Sequence, residues 1–252
     1  MKFESKMIIA NPIYDVVFKY LLEDIEIAHE LLSTILGVRL SHFSVKPREV
    51  LQATIIKDNA KFQLDFNARI DLPNEKQQTL SIEVIKVKKK RGISGFPKDL
   101  SEIQGNSSKK IIVYILGFKL EGVEASVLKI KAEGKYIDVV NQKKVQTDNK
   151  FISYLPQGSC IIQIPRVKLK QQNILEQVLE IFSQDYWVDD FHELDYTGNT
   201  TNLLVKKMLD RLTKAIDSRT IVKQMGIEDY IDRLITRALL NEEQLDVIDS
   251  SR

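Results

Sequence analysis

Two acids stand out among the residues that could do chemistry. Asp65 lies in KFQLDFNARIDL and Glu83 in SIEVIKVKKK, where Ile82, Val84 and Ile85 surround it. A carboxylate inside an apolar strand is costly to bury unless something pairs with it. If the two stretches are neighbouring strands, their carboxylates can share a hard divalent cation such as Mg²⁺. A cation held there activates water and neutralises charge developing on a phosphate. The plainer reading is the wet face of an antiparallel sheet, where acids are common. The neighbours differ between the two acids. Gln63, Asn67 and Arg69 keep Asp65 in polar company, whereas Ser81, Ile85 and Val87 give Glu83 little that needs water.

Positive charge gathers in KVKKKR (residues 86–91), SSKK (107–110) and RVKLK (166–170), although the net charge is only +2. Such clusters can hold a phosphate backbone, or they are solvated turns beside strands. His29, His42 and His192 are too scattered for metal-ligand spacing, so no structural zinc site is expected. The single cysteine, Cys160, excludes an internal disulfide and points to a reducing, cytoplasmic setting. No apolar run is long enough to span a bilayer, and MKFESKMIIANP does not read as a secretory signal. Nothing in the sequence asks for an organic cofactor.

The elements that must position these residues follow from periodicity. NPIYDVVFKYLLEDIEIAHELLSTILG predicts two helices, with Asn11 and Asp24 as caps, Pro12 in the first turn and Gly37 as the stop. A strand is expected near residues 49–56. KFQLDFNARIDL alternates, with Leu64, Phe66, Ala68 and Ile70 on one side and Gln63, Asp65, Asn67 and Arg69 on the other. Its polar link PNEKQQ to TLSIEVIKV predicts an antiparallel hairpin. Residues 91–109 read as a loop with one short helix at most. KKIIVYILGFKL suits a strand buried on both faces. ASVLKIKAEGKYIDVVN predicts two short strands about Gly134, and SCIIQIP a strand closed by Pro165. From Lys168 onward the pattern is helical, with Thr201 as a cap and a break at Gly226. The chain therefore reads as helices, a mixed sheet and a helical tail.

The ordered series NPIYDVVFKYLLEDIEIAHELLSTILG, LDFNARI, IEVIK, VYILGFKLEGV, YIDVV and SCIIQIPR resembles the PD-(D/E)XK nuclease-family transposases, part of the recombination-promoting nuclease group, over roughly residues 7–185. The resemblance implies an α+β, restriction-endonuclease-like mixed sheet flanked by helices (residues 1–167), followed by a helical C-terminal extension (168–252). It implies a DNA endonuclease that depends on Mg²⁺, or on Mn²⁺ in its place. Asp65 matches the first motif acid and Glu83 the second. The third position is usually Lys, and in this family often Gln; here it is Ile85. YDVVFK matches an N-terminal helix motif and makes Asp15 an accessory metal ligand, unless it caps or braces its helix. Lys86, Lys88, Lys89, Lys90 and Arg91 would contact DNA phosphates, and a symmetric homodimer would allow two strands to be cut. ISGFPKDLSEIQ departs from the basic, aromatic helix of the family, because Pro97, Gly92 and Gly95 oppose helix formation. With Ile85, this leaves an alternative: a catalytically silent member acting as a DNA-binding or protein-interaction module.

Overall fold

The period-two stretch forms β3 (Lys61–Asp71), and its partner forms β4 (Gln77–Val87), paired antiparallel in unbroken register from Lys61↔Val87 to Asp71↔Gln77. The alternation decides which side is covered. Phe66 and Ala68 are buried, and Leu64 and Ile70 pack against the same core. The structure, a computed structural model, describes residues 7–46, 61–71, 77–90, 109–171, 173–188 and 192–249. The strand expected at 49–56 and the loop expected at 91–109 (as far as 108) lie outside the described residues.

Helices α1 (Asp15–Leu22) and α2 (Ile25–Leu36) precede the hairpin. Asp24 caps α2, its side chain accepting from the backbone N–H of Glu26 and Ile27, and Gly37 ends it in the left-handed region at φ 65°. Asn11 does not cap α1. The N-cap is Tyr14, which makes no side-chain cap bond, and the Asn11 Oδ1 accepts from Ile13 N instead. The first N–H groups of α1 are satisfied from the far end of the chain, as described below.

The main sheet has eight strands in the order β2-β3-β4-β5-β9-β6-β7-β8. β2 is Ser41–Val45, β5 Lys109–Leu116, β6 Val127–Ile130, β7 Tyr136–Asp138, β8 Lys143–Val145 and β9 Cys160–Gln163. β2, β3 and β4 form an antiparallel meander. β5 then joins β4 in parallel, and β9 joins β5 in parallel. Antiparallel pairing resumes from β9 to β6, β7 and β8. This is the mixed sheet flanked by helices that the sequence predicts. β1 (Met7–Ala10) and β10 (Glu193–Tyr196) make a separate antiparallel pair.

The sheet is covered on both faces. One face carries Phe66, Ile82, Val84, Val113 and Ile115 into a large core with α1, α2, α4 (Ile174–Glu180) and α5 (Leu203–Ile216). The other carries Ile85, Val87, Ile112, Tyr114 and Leu116 into a smaller core with Ile152 of α3 (Lys150–Ser153) and Leu155. Thus β5 is buried on both faces, as its apolar run requires. The large core runs from Ile9 to Met225, so residues beyond 167 share it rather than forming a core of their own.

Two further expectations are corrected. Asn202, not Thr201, caps α5, accepting from Leu204 N and Val205 N. α6 (Arg219–Asp249) passes through Gly226 without a break. A glycine inside a helix costs about 1 kcal/mol relative to alanine. Burial of Ile221 and Met225 and the bonds made by Glu228 and Asp229 outweigh that penalty. None of the described helices is long and apolar enough to cross a membrane.

Candidate acidic site

Asp65 and Glu83 stand directly opposite each other in the β3–β4 register. One step along, Gln63 stands opposite Ile85, and Ile85 is itself paired with Tyr114 of β5. Residues two apart on a strand share a face, so Gln63, Asp65, Glu83, Ile85 and Tyr114 share one side of the sheet. It is the side of the smaller core. Glu83 is buried, with 9% of its surface exposed, and Ile85 beside it is 3% exposed. Asp65 is half-buried.

Glu83 is compensated by protein groups. Its Oε2 lies 2.8 Å from the ammonium of Lys110, which follows the first residue of β5 and pairs with Ser81 across the parallel ladder. Its Oε1 accepts from the side-chain amide of Gln63, and the same amide lies 3.3 Å from Asp65 Oδ1. Gln63 thus bridges the two acids while Lys110 neutralises one of them. Charge-assisted bonds of this kind are the strong ones. The wall beyond is apolar: Ile85, Ile112 and the ring of Tyr114, which packs edge-on against Phe151 at 5.1 Å. Burial, with the Glu83 carboxylate adding to it, pushes the Tyr114 phenol well above its ordinary range. It remains a protonated hydroxyl at neutral pH.

Lys110 and Gln63 were not singled out by sequence reasoning. Lys110 reads as part of a basic cluster and Gln63 as one of several polar residues. The parity of KKIIVYIL puts Lys110 on the face of Ile112 and Tyr114, but only the parallel pairing of β4 with β5 puts that face beside Glu83.

The expected contribution of Asp15 is corrected. Its Oδ1 lies 2.7 Å from the ammonium of Lys86. Lys86 has the opposite parity to Glu83 on β4, so Asp15 is on the other side of the sheet and cannot complete a metal site with Asp65 and Glu83. Among the described residues, no group of three or more His, Cys, Asp or Glu side chains is gathered as a metal cage.

The basic cluster is also rearranged. Lys86 is buried, 1% exposed, donates to the carbonyl of Ile13 and sits 5.7 Å from the ring of Phe18. It cannot reach a DNA phosphate, because it is the internal partner of Asp15. Burial lowers its pKa, against the opposing pull of Asp15 and Glu228. Lys88 and Lys89 each lie 3.2 Å from Asp232 of α6, and Lys88 also covers the ring of Tyr14 at 4.2 Å. Lys90 is exposed, and Arg91 lies outside the described residues.

α6 makes further contacts here. The Glu228 carboxylate accepts from Asp15 N and Val16 N, both at 2.8 Å, and so supplies the cap that α1 lacks locally. Burial raises its pKa, with Asp15 acting in the same direction. Asp229 accepts from the Tyr14 hydroxyl and contacts His192 Nε2, each at 2.9 Å.

Comparison with family models, with curated proteins and with solved structures finds no match for the chain.

Proposed function

We propose that this chain is a divalent-metal-dependent DNA endonuclease whose working groups are Asp65, Glu83, Lys110 and Gln63. The observation that carries the reading is the Asp65–Glu83 juxtaposition with Lys110 at 2.8 Å from Glu83. The resemblance to PD-(D/E)XK transposases supports it, as does the meander of β2, β3 and β4 followed by parallel β5. The donor set fits Mg²⁺ or Mn²⁺. Both side chains offer hard oxygens, and Mg²⁺ is commonly held by one or two carboxylates, with water and substrate phosphate filling the remaining positions. When bound, the cation would polarise a phosphoryl oxygen and lower the pKa of water.

The chain's own groups divide the remaining work. Asp65 and Glu83 would hold the cation. Lys110 supplies the positive charge that Ile85 cannot, because an alkyl side chain neither orients water nor stabilises a phosphate. Gln63 keeps the two carboxylates together and offers amide donors. Ile85, Ile112 and Tyr114 exclude bulk water from one side, which strengthens the electrostatics of the site.

One observation favours a second reading. Glu83 already has a protein cation and an amide donor, so the acids can rest without a metal, as in a catalytically silent DNA-binding or interaction module. The test combines metal binding with cleavage. Mg²⁺ or Mn²⁺ should raise the melting temperature of the wild type by binding the folded state, and Asp65→Ala should abolish the rise. Nicking of supercoiled DNA should disappear in Glu83→Gln. It should fall by about a hundred- to a thousandfold in Lys110→Met, the usual cost of removing one transition-state charge donor. Metal binding without nicking in the wild type favours the silent module; absence of both refutes the metal site.

A further inference from the structure

On the opposite side of the sheet lies a cleft of about 660 Å³, where β4 and β5 end. Its floor includes Lys88, Lys89 and Gly117, the residues that follow the two strands. β4 and β5 are parallel neighbours. The space beyond the carboxyl ends of parallel strands is where open α/β sheets tend to bind ligands. Gly117 brings the two strand ends close, since a Cβ there would lie 2.6 Å from the Lys88 carbonyl oxygen.

One wall is α6. Asp229, Asp232, Arg233, Thr236 and Arg237 line the cleft, and their spacing puts them on one helix face. A helix side that faces its own protein is ordinarily apolar. This one is charged and hydroxylic, and it borders open space. The lining holds four cations (Lys88, Lys89, Arg233 and Arg237) against two acids. Asp229 is engaged with Tyr14 and His192, and Asp232 accepts from both lysines at 3.2 Å. Arg233 and Arg237 lie one turn apart and are exposed, the arrangement that lets two guanidinium forks bracket a phosphate. Asn11 and Gln184, joined by reciprocal amide bonds of 2.9 and 3.0 Å, also line the cleft.

We infer that this cleft binds a small phosphate-bearing molecule of nucleotide size, and that Asp232 is the internal anion that competes with the phosphate for Lys88 and Lys89. The volume exceeds what a single phosphate needs and lies within the range of ordinary small-molecule sites. The site is independent of Asp65 and Glu83, which lie across the sheet.

Isothermal titration calorimetry tests this with ATP, pyrophosphate and adenosine, in EDTA and in a Glu83→Gln background that removes the acidic site. ATP and pyrophosphate should bind and adenosine should not. The exposed pair Arg233→Ala/Arg237→Ala should weaken binding at least tenfold. Asp232→Asn should tighten it, because the lysines are released from their carboxylate; a purely structural salt bridge would not give that gain. Failure of the wild type to bind either phosphate compound, or undiminished binding in the arginine double variant, overturns the inference. Weaker binding in folded Asp232→Asn overturns the assignment of Asp232. Binding of a 5′-phosphorylated oligonucleotide but not of ATP would overturn the small-molecule assignment and give the cleft to a DNA end.

Discussion

Replacing Asp15 by alanine tests whether this acid braces the fold or serves the metal. Lys86 has 1% of its side chain exposed, whereas Asp15 has 39%. Removing one partner of a buried pair strands the other charge and typically costs 3–5 kcal/mol. Here the exposed side of Asp15 lets water replace part of what is lost. Lys86 also keeps its bond to Ile13 O and the nearby carboxylate of Glu228. The expected cost of Asp15→Ala is therefore about 2–3 kcal/mol, or roughly 5–10 °C in melting temperature for a domain of this size. Lys86→Met keeps most of the buried stem and removes the charge, so it should cost less than about 1.5 kcal/mol. The double variant should be more stable than Asp15→Ala alone, since no stranded ammonium remains. Urea denaturation of the four proteins at pH 7 gives the coupling energy. Additive losses, with Lys86→Met at least as damaging as Asp15→Ala, would refute the pairing argument. The rise in melting temperature that the proposed Mg²⁺ site predicts should survive in Asp15→Ala; its loss would return Asp15 to that site.

Two other outcomes follow from buried groups. Burial raises the pKa of Glu176, and its Oε1 has no hydrogen-bond partner among the described residues. A carboxyl whose folded pKa is raised favours folding when protonated, and that contribution fades as pH rises through the raised value. Glu176→Gln should thus melt higher than the wild type at pH 7, with the gap closing as pH falls towards 4.5; a gap independent of pH would refute this. Cys160 is fully buried and its thiol is pushed up to about 11. It should resist iodoacetamide at pH 8 in the native protein and react once the chain is unfolded; rapid native labelling would contradict its placement.

The parts of the fold legible in the sequence were those where one periodicity governs a whole element. Leu64, Phe66, Ala68 and Ile70 alternate without exception, and β3 follows. Asp24 and Gly37 bracket α2 by local chemistry that needs no tertiary partner. Asn11 and Gly226 misled for the opposite reason. α1 takes its cap from Glu228, more than two hundred residues away in sequence, and α6 crosses its glycine because contacts on either side hold it. The short strands β1, β8 and β10 carry too few residues for a period to show. At the acidic site, Asp65 and Glu83 were legible from the hairpin, and the opposite parity of Lys86 was too. Lys110 was not, because its place depends on which strand lies beside β4. The cluster of lysines looked like one surface. Strand parity and α6 divide it into a buried ion pair, a clamped pair and an exposed Lys90.

β4 therefore carries one internal charge on each face, and the two are treated differently. Lys86, buried on the large-core side, meets the part-exposed Asp15, with the carboxylate of Glu228 nearby, and nothing in that arrangement asks for a ligand. Asp65, Glu83 and Lys110 together carry one negative charge, with a single amide shared between the acids. A site of that sign repels a phosphodiester and attracts a divalent cation. With the cation bound, the same groups carry one positive charge, which is the sign that draws a phosphate. The nuclease chemistry proposed for this face would thus require the cation before the strand. The phosphate site inferred across the sheet, with cations in excess of acids, would require none. On the proposed readings, the two faces of one strand would separate a metal-first reaction site from a metal-independent phosphate site, and each could be removed without touching the residues of the other.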